Sequence, residues 1–383
     1  MDFELSEELA EVQKLARDFS EKEIAPNAAK DDRDHIFRRD LVVKMGELGF
    51  YGCLIPEAYG GNGLGFLAHA LISEEIARVH SAIRVYVNMQ AGPAVTLYEF
   101  GNETQKKTHL PKLLSGATNG LFAITEPDAG SDVAAMKTTA KRDGNNYLLN
   151  GTKIWITNAT VADYGVIFAY TDRAQKHRGM SAFYADLNQP GVSRRDLDKL
   201  GAHASPTGEL TFENFRIPVD NLIGAEGDGF KICMRHLNHT RLGCAAGAVG
   251  LATAAREAAV SYANQREQFG QKIGQFQMNQ DLIAQMVVQE EAARLLVYRA
   301  ACLADRGRPY NLEASMAKYA AAEAAAFCAD SALKILGAYG YSTEFPVERY
   351  YRDAKSYQIV EGSVNIQKLI IGQDALGYRK ANR

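Results

Sequence analysis

Apolar residues return at helical spacing from the start of the chain. Leu5, Leu9, Val12, Ala16 and Phe19 fall on one face, the repeat of an amphipathic helix. Ser6 stands in the N-cap position, and Glu7 and Glu8 put negative charge in the first turn, where the helix dipole favours it. Pro26 ends this helix or opens the next segment. Helical patterns follow at residues 37–49, 66–79 and 92–114, punctuated by Pro56, Gly60-Gly61 and Pro111. From residue 121 the texture becomes strand-like. The turn dipeptides Asp143-Gly144 and Asn150-Gly151 separate the runs Met136–Arg142, Tyr147–Leu149 and Lys153–Thr157. Tyr164–Tyr170, Met180–Leu187 and Glu209–Ile217 continue the pattern, and a small antiparallel β domain is expected. Beyond residue 221 alanine is abundant and no proline occurs until Pro309, which predicts long helices packed as a bundle. The expectation is an α+β fold in three segments: helical at 1–120, β at 121–220, helical at 221–383. The absence of an alternating βαβ rhythm argues against a doubly wound dinucleotide fold.

The length of 383 residues fits two or three such domains. With 46% apolar and 23% charged residues the composition is that of a globular protein. The net charge of −3 gives no broad attraction to nucleic acid or to an anionic membrane. No apolar run reaches the roughly 18 residues that a membrane span needs. The N-terminus is acidic from Asp2 onward and lacks the features of a signal or transit peptide, so a cytoplasmic protein is expected. Cys53, Cys233, Cys244, Cys302 and Cys328 contain no CxxC pair and are odd in number. They read as free thiols rather than a disulfide framework or metal site.

The chemistry lies elsewhere. Gly60, Gly61, Gly63 and Gly65 do not form GxGxxG and read as a flexible turn. Three other stretches are informative. Phe122-Ala-Ile-Thr-Glu-Pro-Asp-Ala-Gly-Ser-Asp132 interrupts an apolar run with polar residues. Such a loop can offer N–H groups and hydroxyls to a flavin or phosphate, and equally it can be an ordinary loop. Ile154-Trp155-Ile156-Thr157-Asn158 holds the only tryptophan, which suits either a core or a flat cofactor. Gln358-Ile-Val-Glu-Gly-Ser-Val-Asn365 isolates the carboxylate of Glu361 between apolar residues and a Gly-Ser step. It reads as a cap at a helix start, or as a base beside an apolar cavity.

In this order the TEPxxGSD, WITN and RDAKxxxIxEG patterns, with Arg266-Glu-Gln-Phe269-Gly270, resemble the acyl-CoA dehydrogenase family over essentially the whole chain. The resemblance implies an N-terminal helical domain, a middle antiparallel β domain and a C-terminal four-helix bundle. It also implies FAD as cofactor, an acyl-CoA substrate, electron-transferring flavoprotein as partner, a homotetramer and no metal. Phe122, Ile124, Thr125, Gly130 and Ser131 match positions at the flavin ring and phosphates, with Ser131 also near the CoA chain. Trp155, Ile156 and Thr157 match those that cover the flavin. Arg266, Gln268 and Phe269 resemble a segment that reaches the FAD of a neighbouring subunit, and Ile273, Phe276 and Asn279 follow as cofactor-binding positions. Gly337 and Ala338 fall in the adenosine-side loop, where Lys334 replaces a family glutamine and leaves that contact open. Ser363 and Asn365 follow the base towards FAD. Asn238 and Arg241 resemble CoA-binding positions, and Val85, Val360 and Gly362 fall at substrate positions. Glu361 matches the base, which removes the α proton while the β hydrogen leaves as hydride.

One segment narrows the acyl group. Ser81-Ala-Ile-Arg84-Val-Tyr-Val-Asn88-Met-Gln90 is similar to the glutaryl-CoA dehydrogenase branch, whose arginine here binds the distal carboxylate. Arg84 then takes that role with Asn88 nearby; a helix-surface salt bridge is the other reading. Val360 replaces the tyrosine that precedes the base in decarboxylating enzymes, and Ala77 replaces a glutamate. Both point to the non-decarboxylating, glutaconyl-CoA-forming type. A decarboxylating glutaryl-CoA dehydrogenase, a benzylsuccinyl-CoA or cyclic acyl-CoA dehydrogenase, an acyl-CoA oxidase and a non-catalytic flavoprotein of this fold are the competing readings.

Overall fold

The computed structural model describes residues 4–378; Asp2 and residues 379–383 lie outside the described residues. Helix α1 (Glu7–Phe19) starts where the pattern placed it, with the Ser6 side chain accepting from the Leu9 N–H. Short π and 3-10 turns carry the chain through Pro26 to α2 (Ala28–Arg33), α3 (Arg39–Glu47) and α4 (Gly65–Val79). The single helix expected at residues 92–114 is two, α5 (Ser81–Phe100) and α6 (Glu103–Leu114). They are split at Gly101-Asn102, where Asn102 and Gln105 form a capping box. Pro111 does not interrupt α6, and Pro93 lies inside α5.

The middle strands are β1 (Gly120–Ala123), β2 (Thr139–Asp143), β3 (Asn146–Thr157), β4 (Tyr164–Tyr170), β5 (Met180–Asp186), β6 (Val192–Asp196), β7 (Thr207–Pro218) and β8 (Leu222–Ile223). The sheet runs β6-β7-β3-β2-β4-β5-β8, with β1 beside β4. Most pairs are antiparallel, but β1 and β2 each pair β4 in parallel. Asp143-Gly144 turns the β2–β3 hairpin, with Gly144 at a φ of 58°. Asn150-Gly151 is not a turn. One strand runs through it, with register shifts against β7 at Leu149/Gly151 and Lys153/Ile156, each a β-bulge.

The rest is helical. Helix α7 (Gly229–Ala263) leads through the small hairpin β9 (Glu267–Gln268) and β10 (Gln271–Lys272) to α8 (Gln277–Asp305), α9 (Asn311–Leu336), α10 (Val347–Tyr357) and α11 (Val364–Ala375). Alanines line the seam between α7 and α9: Ala245 and Ala248 share one buried cluster of the bundle with Ala314, Ala321 and Ala325, all nearly inaccessible. Small side chains let these helix axes approach closely. The N-terminal helices pack on one face of the sheet and share a core with its Val166, Phe168, Tyr170 and Tyr184. Among the described residues no helix is long and apolar enough to cross a membrane, and no group of three His, Cys, Asp or Glu side chains is placed to hold a metal ion.

Candidate active site

Helix α7 is the spine of the site. His236, Thr240, Gly243, Cys244 and Gly247 recur at three- and four-residue steps, so they share one face. Opposite Thr240 lies the turn between α10 and α11 that carries Glu361. Glu361 and Gly362 take φ values of 56° and 85° in succession. Glycine accepts this left-handed region freely; a glutamate enters it only where its contacts hold it. Those contacts are present. The Glu361 carbonyl accepts from Arg241 Nε at 3.4 Å, and the Gly362 carbonyl accepts from Lys318 Nζ and Gln367 Nε2, each at 2.9 Å. Thr240 Oγ1 donates to Glu361 Oε2 at 2.7 Å. Burial raises the Glu361 carboxyl above its usual pKa, outweighing the Thr240 hydrogen bond and the charges of Arg241, Arg84 and Lys318. A partly desolvated carboxylate of raised basicity is suited to take a proton from carbon.

Arg84, on α5, lies against Gly247, two turns along α7 from Thr240. It is 4% exposed, which excludes the surface salt bridge. Its guanidinium lies 5.3 Å over the Tyr357 ring, and its Nε has no hydrogen-bond partner. Tyr357 is held by a 2.7 Å hydroxyl contact to Ser81. A Cβ on Gly247 would fall 2.5 Å from Arg84 Nε and 2.8 Å from the Tyr357 hydroxyl, so the glycine makes the space for both. Asn88 is buried, donates to the Thr240 carbonyl at 3.1 Å and leaves its Oδ1 unpartnered. A small cavity lies between Asn88, His69, His239 and Thr240. Burial depresses both histidines to about 4, so they are neutral at physiological pH. Val85 is half-buried, while Val360 is exposed on the base turn.

The TEPxxGSD and WITN stretches meet towards the N-terminal end of the same α7 face. Phe122 stacks on His236 at 3.6 Å and 8°, one helical turn from Thr240. The loop after β1 is anchored from below: Lys153, fully buried, pairs with Glu126 at 2.8 Å and donates to the Ile124 carbonyl at 3.2 Å. The Thr125 carbonyl accepts from the Ile154 N–H at 3.0 Å. Anchored in this way, the loop leaves Gly130 and Ser131 exposed. Trp155 is not a core residue. The Lys153/Ile156 bulge turns it outward, at a φ of 59° and 57% exposure. Ile156 instead points into the sheet core, so only its backbone faces the loop; Thr157 is half-buried.

Other cofactor candidates stand apart from these. Arg266, Gln268 and Phe269 lie on the exposed β9–β10 hairpin, and Phe269 is 94% exposed. Ile273 and Phe276 pack beneath it, and Asn279 Nδ2 donates to the Ile273 carbonyl at 2.8 Å. Arg266 lies 5.5 Å over Tyr339, beside the exposed Gly337 and Ala338; Lys334 pairs with Asp330 at 2.6 Å. This cluster sits at the C-terminal end of α7, about 35 Å along the helix from Thr240. Within one chain, the structure does not bring it to Glu361. Ser363 caps α11, accepting from the Ile366 N–H at 3.5 Å, and Asn365 is exposed on its first turn. Arg241 Nη1 donates to Asn238 Oδ1 at 3.0 Å, so that pair is turned towards the base turn as well.

Sequence reasoning did not single out Thr240, Tyr357, His236, Gly247 or Lys318. Lys318 left a signal: Ala314, Ala317, Ala321, Ala322 and Ala325 surround it at helical spacing, so a lysine interrupts an otherwise buried stripe.

Comparison with known proteins identifies the family. The chain matches the acyl-CoA dehydrogenase N-terminal domain over residues 6–117, the middle domain over 121–215 and the C-terminal domain over 227–376. It is 55% identical to the glutaryl-CoA dehydrogenase of Desulfococcus multivorans, over 100% of both chains. The chain belongs to the acyl-CoA dehydrogenase family. It is thus an oxidoreductase of the acyl-CoA CH–CH bond, with the N-terminal helical, middle β and C-terminal helical architecture of that family. A glutaryl-coenzyme A dehydrogenase solved in complex with glutaryl-CoA superposes with a TM-score of 0.97 at 54% identity, covering 100% of this chain and 98% of that one. A chain solved in work on the electron transferring flavoprotein of Acidaminococcus fermentans gives 0.96 at 43% identity, over 98% of this chain and 100% of that one.

Proposed function

We propose that the chain oxidises glutaryl-CoA to glutaconyl-CoA with FAD, without decarboxylation, and passes the electrons to electron-transferring flavoprotein in the cytoplasm. The observation that carries the substrate is Arg84. A guanidinium at 4% exposure with an unpartnered Nε is costly to bury. Among the described residues no carboxylate pairs with it; Glu361 is the acid that acts on it. A distal substrate carboxylate supplies the missing anion, and the planar fork suits it.

The residues present fit FAD. An outward-facing indole on a bulge, beside a polar loop anchored by a buried ion pair, offers a flat apolar surface next to N–H and hydroxyl donors. Phe122, Ile124, Thr125, Gly130, Ser131, Trp155, Thr157 and the backbone of Ile156 are the near side of that site. Bound there, FAD supplies the acceptor for the hydride that leaves the substrate β-carbon. The chain supplies the rest. The Glu361 carboxylate takes the α proton, and Thr240 keeps it aimed. The Glu361 N–H, which has no acceptor among the described residues, is free to donate to the thioester carbonyl and stabilise its developing charge. Arg84 fixes the tail, so the two C–H bonds are presented in one orientation.

Retention of the carboxylate follows from the same pair. Loss of CO₂ requires the carboxylate to give up its charge, and a bidentate partner stabilises the charged state. Val360 offers no hydroxyl to compete for it, and Ala77, buried on α4, offers no acid to Arg84. The test is single turnover of the purified enzyme with glutaryl-CoA under anaerobic conditions, with products identified by mass spectrometry. Glutaconyl-CoA is expected; stoichiometric crotonyl-CoA and CO₂ would refute retention, and no flavin bleaching would refute the substrate.

A further inference from the structure

Lys318 is 0% exposed, in the middle of α9. Among the described residues its one hydrogen bond is to the carbonyl of Gly362, at 2.9 Å. An ammonium carries three donors and is strongly hydrated in water, so a fold that buries it there without a second hydrogen bond bears a substantial desolvation cost. The ionisable groups facing it are Cys244 and Arg241 on α7, Glu361 on the base turn and Glu323 on its own helix. Burial keeps the Cys244 thiol protonated, and the half-buried Glu323 accepts from Gln358 Nε2 at 3.1 Å. On the pocket side the remaining anion is Glu361. The geometry of the turn gives the contact a second consequence. With Glu361 and Gly362 both left-handed, rotating the Gly362 carbonyl away would swing the adjoining Glu361 backbone with it.

We infer that Lys318 is a positioning residue for the base: its ammonium pins the Gly362 carbonyl and sets a buried positive charge against the turn that carries Glu361. This rests on Glu361 being the base. Gln367 binds the same carbonyl at the same distance without charge, which separates the two effects. Lys318 needs no contact with the acyl-CoA to act in this way.

The experiment is anaerobic reduction of the holoenzyme flavin by glutaryl-CoA as a function of pH, with butyryl-CoA substituted if glutaryl-CoA does not reduce it. Removing the cation disfavours the carboxylate, so Lys318→Met moves the acid limb of the rate profile to higher pH. Lys318→Arg restores the midpoint, and Gln367→Met slows reduction without moving it. Lys318→Gln, which keeps a donor but no charge, shifts as Lys318→Met does if charge is the cause. Neutral variants that retain flavin yet keep the original midpoint overturn the inference. Glu361→Gln is measured alongside. Near-normal reduction in that variant defeats the base assignment itself, whereas an inactive Glu361→Gln with an unmoved Lys318→Met midpoint defeats only the role of Lys318.

Discussion

Arg84 and Lys318 are both buried cations, and they differ in what satisfies them. Lys318 has a carbonyl at 2.9 Å; Arg84 has an aromatic ring and an Nε without a partner. A buried charge left without its counter-ion costs several kcal/mol, so an incoming carboxylate gains from Arg84 what the empty pocket lacks. Arg84→Met should therefore lower kcat/KM for glutaryl-CoA by about 2–5 kcal/mol, roughly 30-fold to several thousand-fold. Butyryl-CoA, which has no distal charge, should lose far less. Steady-state kinetics on both esters decide it, and equal losses would make Arg84 a structural residue. At this scale the sequence was readable wherever a residue type is rare in its setting. Glu361 sits alone between Ile359–Val360 and Gly362-Ser363, and Arg84 sits among apolar neighbours. Thr240 and Tyr357 were not readable, because the contacts that matter here join them to residues more than 100 positions away, Glu361 for Thr240, Ser81 and Arg84 for Tyr357.

Elements show the same division between local and distant causes. Helix α1, with its Ser6 cap, and the Asp143-Gly144 hairpin are set by neighbours in sequence and were predicted. Asn150-Gly151 has equally strong turn chemistry, yet β3 passes straight through it. Pairing with β7 from Pro218 to Thr207 outweighs the dipeptide, and Gly151 keeps a φ of 147° within the strand. The second bulge, at Lys153/Ile156, is the one that turns Trp155 outward, and no local pattern marks it. Close helix contact is likewise invisible in periodicity. Helix α7 touches α4 at Gly250, where a Cβ would stand 2.1 Å from the Glu74 carbonyl oxygen. Gly250→Ala must push the two helices apart. A destabilisation of about 1–3 kcal/mol is expected, read as a lower denaturation midpoint with FAD content and protein concentration held constant. An unchanged midpoint would mean that the α4–α7 contact relaxes without cost.

For the molecule as a whole, a single chain is an incomplete account of its own residues. The base, Arg84, Phe122 and Trp155 gather near the middle of α7. Arg266, Phe269, Gly337 and Ala338 gather about 35 Å away at its end. Phe269 and Tyr341 there are 94% and 90% exposed, and Met278 beside them is 82% exposed. Large apolar side chains so open to water suit a surface that another chain would cover, as the homotetramer expected from the family resemblance would require. If that hairpin completes the FAD site of a neighbour, assembly and cofactor retention are linked equilibria, and loss of one promotes loss of the other. Dilution of the holoenzyme should then release FAD in step with dissociation. Phe269→Ala should do so at a higher protein concentration while leaving the secondary structure of the chain intact. Light scattering and flavin fluorescence, followed across the same dilution series, test the linkage directly. A monomer that keeps FAD as tightly as the oligomer would show that each chain holds its cofactor alone, and would leave the exposed hairpin to assembly only.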